Sequence, residues 1–269
     1  MSTELRVLTW NCKRAKQGSA VWDYFLEINP DVALLQEVMG VPEHINSRFA
    51  CHELRAMGKT GKLQIFKTVI LTKGQFCGEL RLAAPEDWVA DELLHFQGNI
   101  VAKQIRINKD LLLNVISVYS PAWSIDRKRL ENTDTTKVRL SQNPDVWAAD
   151  LLWACLNQTR PGGTELWIIG GDFNLSETFD QWRGGPRGNR EYLDRMAALG
   201  FTEALRYSKG KLTPTFRNTS NGLIKHQMDH LFITQPLAQN LISCDTGSVE
   251  KIFDKGLSDH LPIIADFRF

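Results

Sequence analysis

The segment Glu165-Leu-Trp-Ile-Ile-Gly-Gly-Asp-Phe-Asn174 contains the pattern from which the fold can be worked out. It begins with a short apolar run, 165–170, of the kind that forms a buried strand. Asp172 and Asn174 follow this run at once, so we expect both side chains at the end of that strand. An aspartate in this position is more often only a turn residue, and one strand end alone predicts no function.

Polar residues lie at the ends of apolar strands at four further places in the chain. The predicted strands are 5–10, 31–36, 228–234 and 261–267, and the polar residues at their ends are Asn11, Glu37, Asp229 and the triplet Ser258-Asp259-His260. A hard divalent cation requires oxygen ligands that rigid elements hold around a water-accessible opening. The five strand ends together meet that requirement, so the pattern favours a metal site.

The rest of the sequence alternates between further strands and helices. Strands are predicted over 62–71, 98–107 and 111–119, and helices over 17–28, 144–154 and 189–199. Pro144 suits the first turn of its helix, because its missing N–H would be unpaired there. Asn189 is the predicted N-cap of the last helix, and Gly200 follows its end. The irregular segments 123–143 and 176–190 are expected to form surface loops around a site.

The length of 269 residues fits one domain, 1–269, better than two, since layered α/β and β folds often reach about 250 residues. A domain of this size buries roughly 75% of its unfolded surface. The hydrophobic fraction of 43% and the eight tryptophans agree with such a core. No repeat, heptad run or low-complexity linker divides the sequence.

Nothing in the sequence points to secretion or to a membrane. The segment 1–11 lacks the charged start and apolar stretch of a signal peptide, and no apolar run approaches the roughly 20 residues of a membrane helix. The five cysteines are an odd number without zinc-like spacing, which favours reduced thiols. We therefore expect a cytoplasmic protein with no membrane contact and no obligate protein partner.

The net charge of +1 is uninformative, but the charges are unevenly distributed. The segments 181–190 and 204–228 contain basic residues and no acid, whereas 79–95 is mostly acidic. A basic loop is usually a solvated face. These two segments lie between the strand-end residues Asn174 and Asp229, which favours contact with phosphates. The expected substrate-binding residues of the first segment are Arg183, Arg187 and Arg190.

The strand-end residues together resemble the endonuclease/exonuclease/phosphatase superfamily, which includes deoxyribonucleases and exonuclease III-like abasic-site endonucleases. The matching motifs, in the family's order, are Thr9-Trp-Asn11, Leu35-Gln-Glu-Val38, Val118-Tyr-Ser-Pro121, Gly171-Asp-Phe-Asn174, Met228-Asp229 and Leu257-Ser-Asp-His-Leu-Pro262. They span nearly the whole chain, and the motifs around Asp172 and His260 are the most specific. The resemblance implies an α/β fold, a four-layer α/β/β/α sandwich of two packed mixed β-sheets flanked by helices.

The resemblance also implies a metal centre. Glu37 is the expected main ligand, Asn11 lies beside it, and Asp259 is a second carboxylate on the metal side. The expected cofactor is Mg²⁺, with Mn²⁺ as an alternative, because the chain has no Cys/His cluster that would select a softer ion.

The remaining motif residues have implied roles in the reaction. Asp172 orients or deprotonates the attacking water, and Asn174 holds the phosphoryl oxygens. His260 contacts the scissile phosphate and stabilises charge in the transition state, while Asp229 orients the imidazole. These roles agree with the chemistry, since phosphoester hydrolysis requires a nucleophilic water, a cation and a donor for the accumulating negative charge.

The chain departs from parts of the family at several positions. Deoxyribonucleases carry a second histidine where this chain has Tyr119, which resembles the exonuclease III branch. Tyr119 is therefore a candidate catalytic phosphate contact, and a packed strand tyrosine is the alternative. His230 replaces the usual aromatic residue after Asp229, and His226 is expected at the surface. Trp182 is among the loop aromatics that would either stack on bases or belong to the core.

Three functions follow from these observations. The first is a Mg²⁺-dependent nuclease that hydrolyses DNA phosphodiester bonds, as in DNA repair, with RNA as another possible substrate. The second is a phosphatase or phospholipase-like enzyme that acts on a small phosphorylated molecule or lipid headgroup. The third, an inactive binding module, is disfavoured because all expected catalytic positions are filled.

Overall fold

The computed structural model describes residues 3–269. The strands are β1 (Glu4–Ala15), β2 (Val32–Val38), β3 (Ala50–Met57), β4 (Leu63–Thr72), β5 (Gln75–Glu79), β6 (Ile100–Asn108), β7 (Leu111–Tyr119), β8 (Trp167–Asp172), β9 (Phe201–Glu203), β10 (Phe216–Arg217), β11 (Ile224–His226), β12 (Asp229–Thr234), β13 (Leu241–Thr246) and β14 (Ile263–Arg268). The α-helices are α1 (Val21–Ile28), α2 (Glu43–Asn46), α3 (Asp87–His95), α4 (Ala148–Thr159), α5 (Asn189–Ala198), α6 (Ala204–Lys209) and α7 (Gln235–Gln239). Shorter helical turns cover Arg127–Leu130, Glu177–Gln181 and Glu250–Asp254.

The strands form two mixed six-stranded sheets and one small hairpin. Sheet A has the order β13-β14-β1-β2-β4-β3, sheet B has the order β5-β6-β7-β8-β12-β9, and β10 pairs with β11. Each large sheet contains one parallel pair at its centre, β1 with β2 in sheet A and β7 with β8 in sheet B. The carboxyl ends of these four strands carry the motif residues Asn11, Glu37, Tyr119 and Asp172.

The apolar side chains form a layered core. Between the two sheets lies a cluster that includes Val7, Leu34, Val115 and Ile168. A second cluster packs α1 on the outer face of sheet A, and a third packs α4 and α5 on the outer face of sheet B. The predicted four-layer α/β/β/α sandwich of two mixed sheets is therefore confirmed.

The alternation of side chains along β1 explains how one strand serves two layers. Leu5 and Val7 belong to the cluster between the sheets, whereas Leu8 and Trp10 belong to the cluster under α1. Successive residues of a strand point to opposite faces, so a strand buried on both faces is apolar throughout. The segment from Val7 to Trp10 is accordingly buried on both faces, although it includes the polar Thr9.

One predicted helix start and one predicted N-cap are wrong. Pro144 precedes α4 rather than lying in its first turn, because Trp147 is the N-cap and its N–H donates to Asp150 Oδ2 at 2.8 Å. Asn189 is the first residue of α5 and not its cap, which is Gly188. The Asn189 side chain instead accepts a hydrogen bond from Ser176 N at 3.1 Å and thereby fixes the loop after β8.

No helix within residues 3–269 has both the length and the apolar character needed to cross a membrane. All five cysteines lie in this range and have free thiols.

Candidate active site

Three neighbouring strands of sheet B bring three of the predicted site residues into one row. Tyr119 on β7, Asp172 on β8 and Asp229 on β12 are partners in the strand register. Gly171 allows this close pairing, since a Cβ atom at this position would lie 1.9 Å from the carbonyl oxygen of Val118. The glycine before Asp172 is thus required for the strand contact that positions the carboxylate.

Asp172 is buried and accepts several hydrogen bonds. Its Oδ1 accepts from Asn174 N at 2.9 Å, and its Oδ2 accepts from Asn11 Nδ2 at 3.0 Å and from Asn174 Nδ2 at 3.2 Å. Burial raises the pKa of Asp172, and the nearby His260 offsets part of that rise. The carboxylate is held in one orientation by donors from both sheets.

His260 lies between two carboxylates. Its Nδ1 is 2.9 Å from Asp229 Oδ2, and its Nε2 is 3.9 Å from Asp172 Oδ2. The second distance is too long for a hydrogen bond, so Nε2 has no partner on that side. Burial lowers the pKa of His260, but the carboxylates of Asp229 and Asp172 raise it more, so the net direction is upward.

The backbone of the His260 segment is anchored to β1. Trp10 Nε1 donates to the carbonyl oxygen of His260 at 2.8 Å, and Ser258 Oγ donates to the carbonyl oxygen of Asn11 at 2.7 Å. The pairing of His260 with Asp229, which the resemblance implied, is therefore present and is held from both sheets.

Thr215 is a site residue that the sequence did not reveal. It is fully buried, and its hydroxyl contacts the same Asp229 carboxylate that His260 contacts. The next residue, Phe216, lies beside the His260 ring with 4.9 Å between ring centroids and a tilt of 51° between the rings. Thr215 directly precedes the two-residue strand β10, and this short segment has no periodic pattern that would have marked it.

Asn11 and Glu37 lie at the ends of the parallel pair in sheet A. The Asn11 amide bridges the site, because Oδ1 accepts from Lys13 N at 3.0 Å while Nδ2 donates to Asp172. Burial raises the pKa of Glu37, and the positive charges of His260 and Arg14 offset part of that rise. Glu37 and Asp259 both remain partly open to solvent.

Tyr119 fits both interpretations made from the sequence. Its ring packs against Phe66 with 5.2 Å between centroids, as expected for a strand tyrosine in the core. Burial raises the pKa of Tyr119, and the carboxylates of Glu37 and Asp172 raise it further. The phenol therefore stays protonated beside these two carboxylates.

The oxygen-bearing side chains of Glu37, Asp259 and Asn11 suit a hard divalent cation. The partly open oxygen donors are Glu37 and Asp259, the buried Asn11 lies beside Glu37, and such a set favours Mg²⁺ over softer ions. A different group has its ligand atoms close together, since atoms of Asp172, Asp229 and His260 lie within 4.8 Å of one another. We regard that group as a charge network, because His260 Nδ1 and Asp229 Oδ2 are already bonded to each other.

The three predicted substrate-binding arginines differ in their surroundings. Arg190 pairs with Glu177 at 3.2 Å and with Asp194 at 2.9 Å, and Arg187 donates to the carbonyl oxygen of Asp180. Within residues 3–269, no hydrogen bond or ion pair engages the exposed Arg183 side chain. Among the described residues of this loop, Arg183 and Arg187 have no acidic partner, and of these two only Arg183 is exposed.

Three of the five lysines and arginines in the second basic segment are paired with acids from elsewhere in the chain. Arg206 pairs with Glu177, Arg217 pairs with Asp254, and Lys209 pairs with Asp245. The absence of acids within 204–228 therefore predicted the unpaired surface only in part, since among the described residues Lys211 and Lys225 are exposed and form no ion pair.

The loop aromatics and the two neighbouring histidines have distinct positions. Trp182 is 59% exposed, whereas Phe216 is partly buried beside His260. His226 is only partly exposed, and its Nδ1 lies 2.7 Å from Thr178 Oγ1. His230 is buried and its Nε2 lies 3.1 Å from the carbonyl oxygen of Leu175, so it supports the loop after Asn174.

Solved structures resemble this chain over nearly its full length. An AP endonuclease from Archaeoglobus fulgidus has 18% identity and a TM-score of 0.68, and the match covers 98% of this chain and 99% of that one. A 3′ phosphatase from Neisseria, bound to a product DNA hairpin, has 15% identity and a TM-score of 0.67 over 98% and 100% of the two chains. An endonuclease/exonuclease/phosphatase family protein from Leptotrichia buccalis has 15% identity and a TM-score of 0.61 over 98% and 100%.

No protein-family model and no curated protein sequence matches the chain. At these low identities the structural likeness concerns the fold. The chain has the fold of the endonuclease/exonuclease/phosphatase superfamily.

Proposed function

We propose that the protein is a divalent-metal-dependent phosphodiesterase that hydrolyses DNA by attack of water on a phosphodiester bond. The observation that carries this proposal is the position of His260 between the carboxylates of Asp229, at 2.9 Å, and Asp172, at 3.9 Å. One carboxylate orients the imidazole, and the other is too far from Nε2 for a hydrogen bond, which leaves this nitrogen without a partner on that side.

Asp172 is the group that orients the water and accepts its proton. The hydrogen bonds from Asn11 and Asn174 fix the carboxylate, and burial raises its pKa toward the range in which a general base is effective. The Asn174 side chain also donates to the carbonyl oxygen of Ser120 at 2.8 Å, which fixes its amide beside the base.

His260 is the donor to the phosphate. Because Asp229 accepts from Nδ1, the proton on Nε2 is directed away from Asp229 and toward the side on which Asp172 lies. The adjacent carboxylates raise the pKa of His260 above its ordinary value despite burial, which favours the protonated, donating form. A donor in this position stabilises negative charge that accumulates on the phosphoryl oxygens.

Glu37, with Asn11, is the proposed holder of the cation, and Asp259 is the proposed second carboxylate on the metal side. When bound there, a divalent cation would supply positive charge that polarises the phosphoryl oxygens. Tyr119, a neutral phenol beside Glu37, is the proposed further phosphate contact.

DNA is the proposed substrate for two reasons. The solved structures with the same fold include an AP endonuclease and a 3′ phosphatase bound to a product DNA hairpin. In addition, the loop after β8 carries the exposed Trp182 beside the unpaired Arg183. An aromatic side chain next to a cation suits a nucleotide, whose base stacks while its phosphate is neutralised.

The test is the product pattern from a panel of labelled DNA substrates in Mg²⁺. The panel contains intact duplex, nicked duplex, duplex with an abasic site, single strands and a 3′-phosphate-blocked nick. We expect cleavage of at least one substrate, and an about 10²–10⁴-fold lower rate for Asp172→Asn, which removes the base but keeps the shape. Asp110→Asn, in an exposed turn far from the site, is the matched control.

The outcomes of this test are distinct. No cleavage of any DNA in Mg²⁺ would overturn the DNA assignment, and hydrolysis of a small phosphodiester alone would favour the second hypothesis from the sequence. Near-wild-type turnover by Asp172→Asn would remove Asp172 from its proposed role.

A further inference from the structure

Two consecutive basic residues lie in strained backbone directly beside the proposed metal carboxylates. Lys13 and Arg14 have φ angles of 47° and 59°, in the left-handed region that non-glycine residues rarely adopt. Glu37, on the neighbouring strand, is also left-handed, with φ of 54°. A strained backbone conformation persists only where contacts with the surrounding structure hold it in place, and such strain occurs preferentially at functional sites.

The strain arises from a bulge in the parallel pairing of β1 and β2. Asn11 pairs with Gln36 and Ala15 pairs with Val38, so residues 12–14 of β1 lie opposite the single residue Glu37 of β2. The hydrogen bond from Lys13 N to Asn11 Oδ1 fixes the first turn of the bulge. The extra residues therefore emerge at the end of the strand, where the site lies.

The bulge brings one cation to each of the two partly open carboxylates. Lys13 Nζ lies 3.7 Å from Asp259 Oδ2, and Arg14 Nε lies 3.9 Å from Glu37 Oε2. Both side chains are about half exposed, so each can move while its charge stays near the site. The two carboxylates are themselves close enough for Asp259 to raise the pKa of Glu37.

Counting charges shows how many divalent cations the site would need. The four site carboxylates are Glu37, Asp172, Asp229 and Asp259. Lys13 and Arg14 offset two of these four negative charges, so at most two remain, whatever the protonation state of His260. One divalent cation therefore suffices to balance the site, and a second would leave an excess of positive charge.

We propose that Lys13 takes the place of a second divalent cation at Asp259, so that the site binds a single metal ion, at Glu37. This inference rests on the proposed phosphodiesterase function, because it concerns the same metal centre. A positive charge within about 4 Å of a divalent ion weakens the binding of that ion by at least about tenfold, even at the dielectric constant of water.

The number of bound ions tests this directly and without any turnover. Mn²⁺ is titrated into the full-length protein, and unbound Mn²⁺ is counted by electron paramagnetic resonance. We expect one Mn²⁺ per chain for the wild type. For Lys13→Met, which keeps the length and removes the charge, we expect a second equivalent that binds at least about tenfold more tightly than any second ion in the wild type.

Matched variants identify the source of the second equivalent. Lys13→Arg keeps the charge and should bind one ion, and Arg14→Met removes a charge from the same bulge without touching Asp259 and should also bind one. Adding Asp259→Asn to Lys13→Met should remove the second ion. Lys13→Gly is a second charge-free variant whose backbone suits the left-handed conformation, so it should fold at least as stably as the wild type.

Each result has one interpretation. Two ions in the wild type, or one ion in both Lys13→Met and Lys13→Gly, would overturn the role of Lys13 and leave the proposed function standing. No Mn²⁺ bound to the wild type would overturn the metal centre itself, and with it both proposals. A second ion in Lys13→Met that survives Asp259→Asn would also overturn the inference, because it would bind elsewhere.

Discussion

Thr215 donates a hydrogen bond of 2.7 Å from its hydroxyl to Oδ2 of Asp229. Its Oγ1 also accepts from the N–H groups of Met228, at 3.1 Å, and Asp229, at 3.2 Å, so the hydroxyl proton is directed at the carboxylate. The same carboxylate oxygen lies 2.9 Å from Nδ1 of His260. Hydroxyl, carboxylate and imidazole therefore form one chain, in which Thr215 is a positioning residue for the proposed phosphate donor.

The Thr215→Val variant should lower kcat while leaving KM nearly unchanged. Valine has the shape of threonine but cannot donate, and a hydrogen bond to a charged group contributes about 1.5–3 kcal/mol. We expect kcat to fall roughly 10- to 100-fold, measured on whichever DNA substrate the wild type cleaves. Thr215→Ser keeps the hydroxyl and should recover most of the rate. Equal loss in both variants would show that packing, not the hydroxyl, matters here.

The cation requirement gives a second prediction. Excess EDTA should abolish turnover, and added Mg²⁺ or Mn²⁺ should restore it, because the open ligands are carboxylate and amide oxygens. Glu37→Gln removes one ligand charge, and the Mg²⁺ concentration for half-maximal activity should rise by at least about tenfold. Glu43→Gln, an exposed residue at the start of α2, is the control and should respond as the wild type does. Full activity in EDTA would contradict the metal-dependent mechanism.

The third prediction concerns the arginines of the loop after β8. Each phosphate that a cation neutralises releases counterions, so losing one such contact flattens the plot of log K against log salt by about one unit. Arg183→Gln should weaken DNA binding and reduce the slope in this way. Arg190→Gln should change the DNA affinity and the slope much less, because Glu177 and Asp194 already pair with that guanidinium. Binding should be measured by fluorescence anisotropy across a salt series, and equal effects of the two variants would contradict the distinction.

The sequence predicted the parts of the site that lie on buried strands. A strand apolar on both faces stands out as a continuous run, and the polar residue that ends it can be located to within one or two positions. In this way Asp172 and Glu37 were found at the ends of β8 and β2. The pairing of Asp229 with His260 came from the family resemblance, since their separation in sequence carries no information on contact.

The elements that the sequence missed have weak or mixed patterns. The edge strand β3 has mostly half-buried residues, so its side chains do not alternate clearly. Helix α3 buries only Val89 and Glu92, which is too narrow a face to produce a helical stripe. The ion pairs of the arginines join residues distant in sequence, as in Arg217 with Asp254, so only the folded chain reveals them.

Asp150 gives the last prediction, on stability rather than on turnover. Its side chain is fully buried at the start of α4, where Oδ2 accepts from Trp147 N at 2.8 Å. Burial raises the pKa of Asp150 from 3.8 to about 7, and the Trp147 hydrogen bond and Arg195 offset part of that rise. Between these two pH values the unfolded chain has lost this proton while the folded chain retains it.

Since the folded state binds more protons in that window, the contribution of Asp150 to stability is fully present below about pH 4 and is lost as pH rises toward 7. Asp150→Asn stays neutral and keeps an oxygen that can accept from Trp147 N. Relative to the wild type, its free energy of unfolding should therefore rise by roughly 2–3 kcal/mol between pH 5 and pH 8. Urea unfolding at four pH values measures this difference. The contributions of the other titrating groups cancel in it, because both proteins share those groups. A difference that is constant with pH would mean that Asp150 is ionised in the folded protein throughout the range, and that its burial is compensated by the Trp147 N–H and the Arg195 charge.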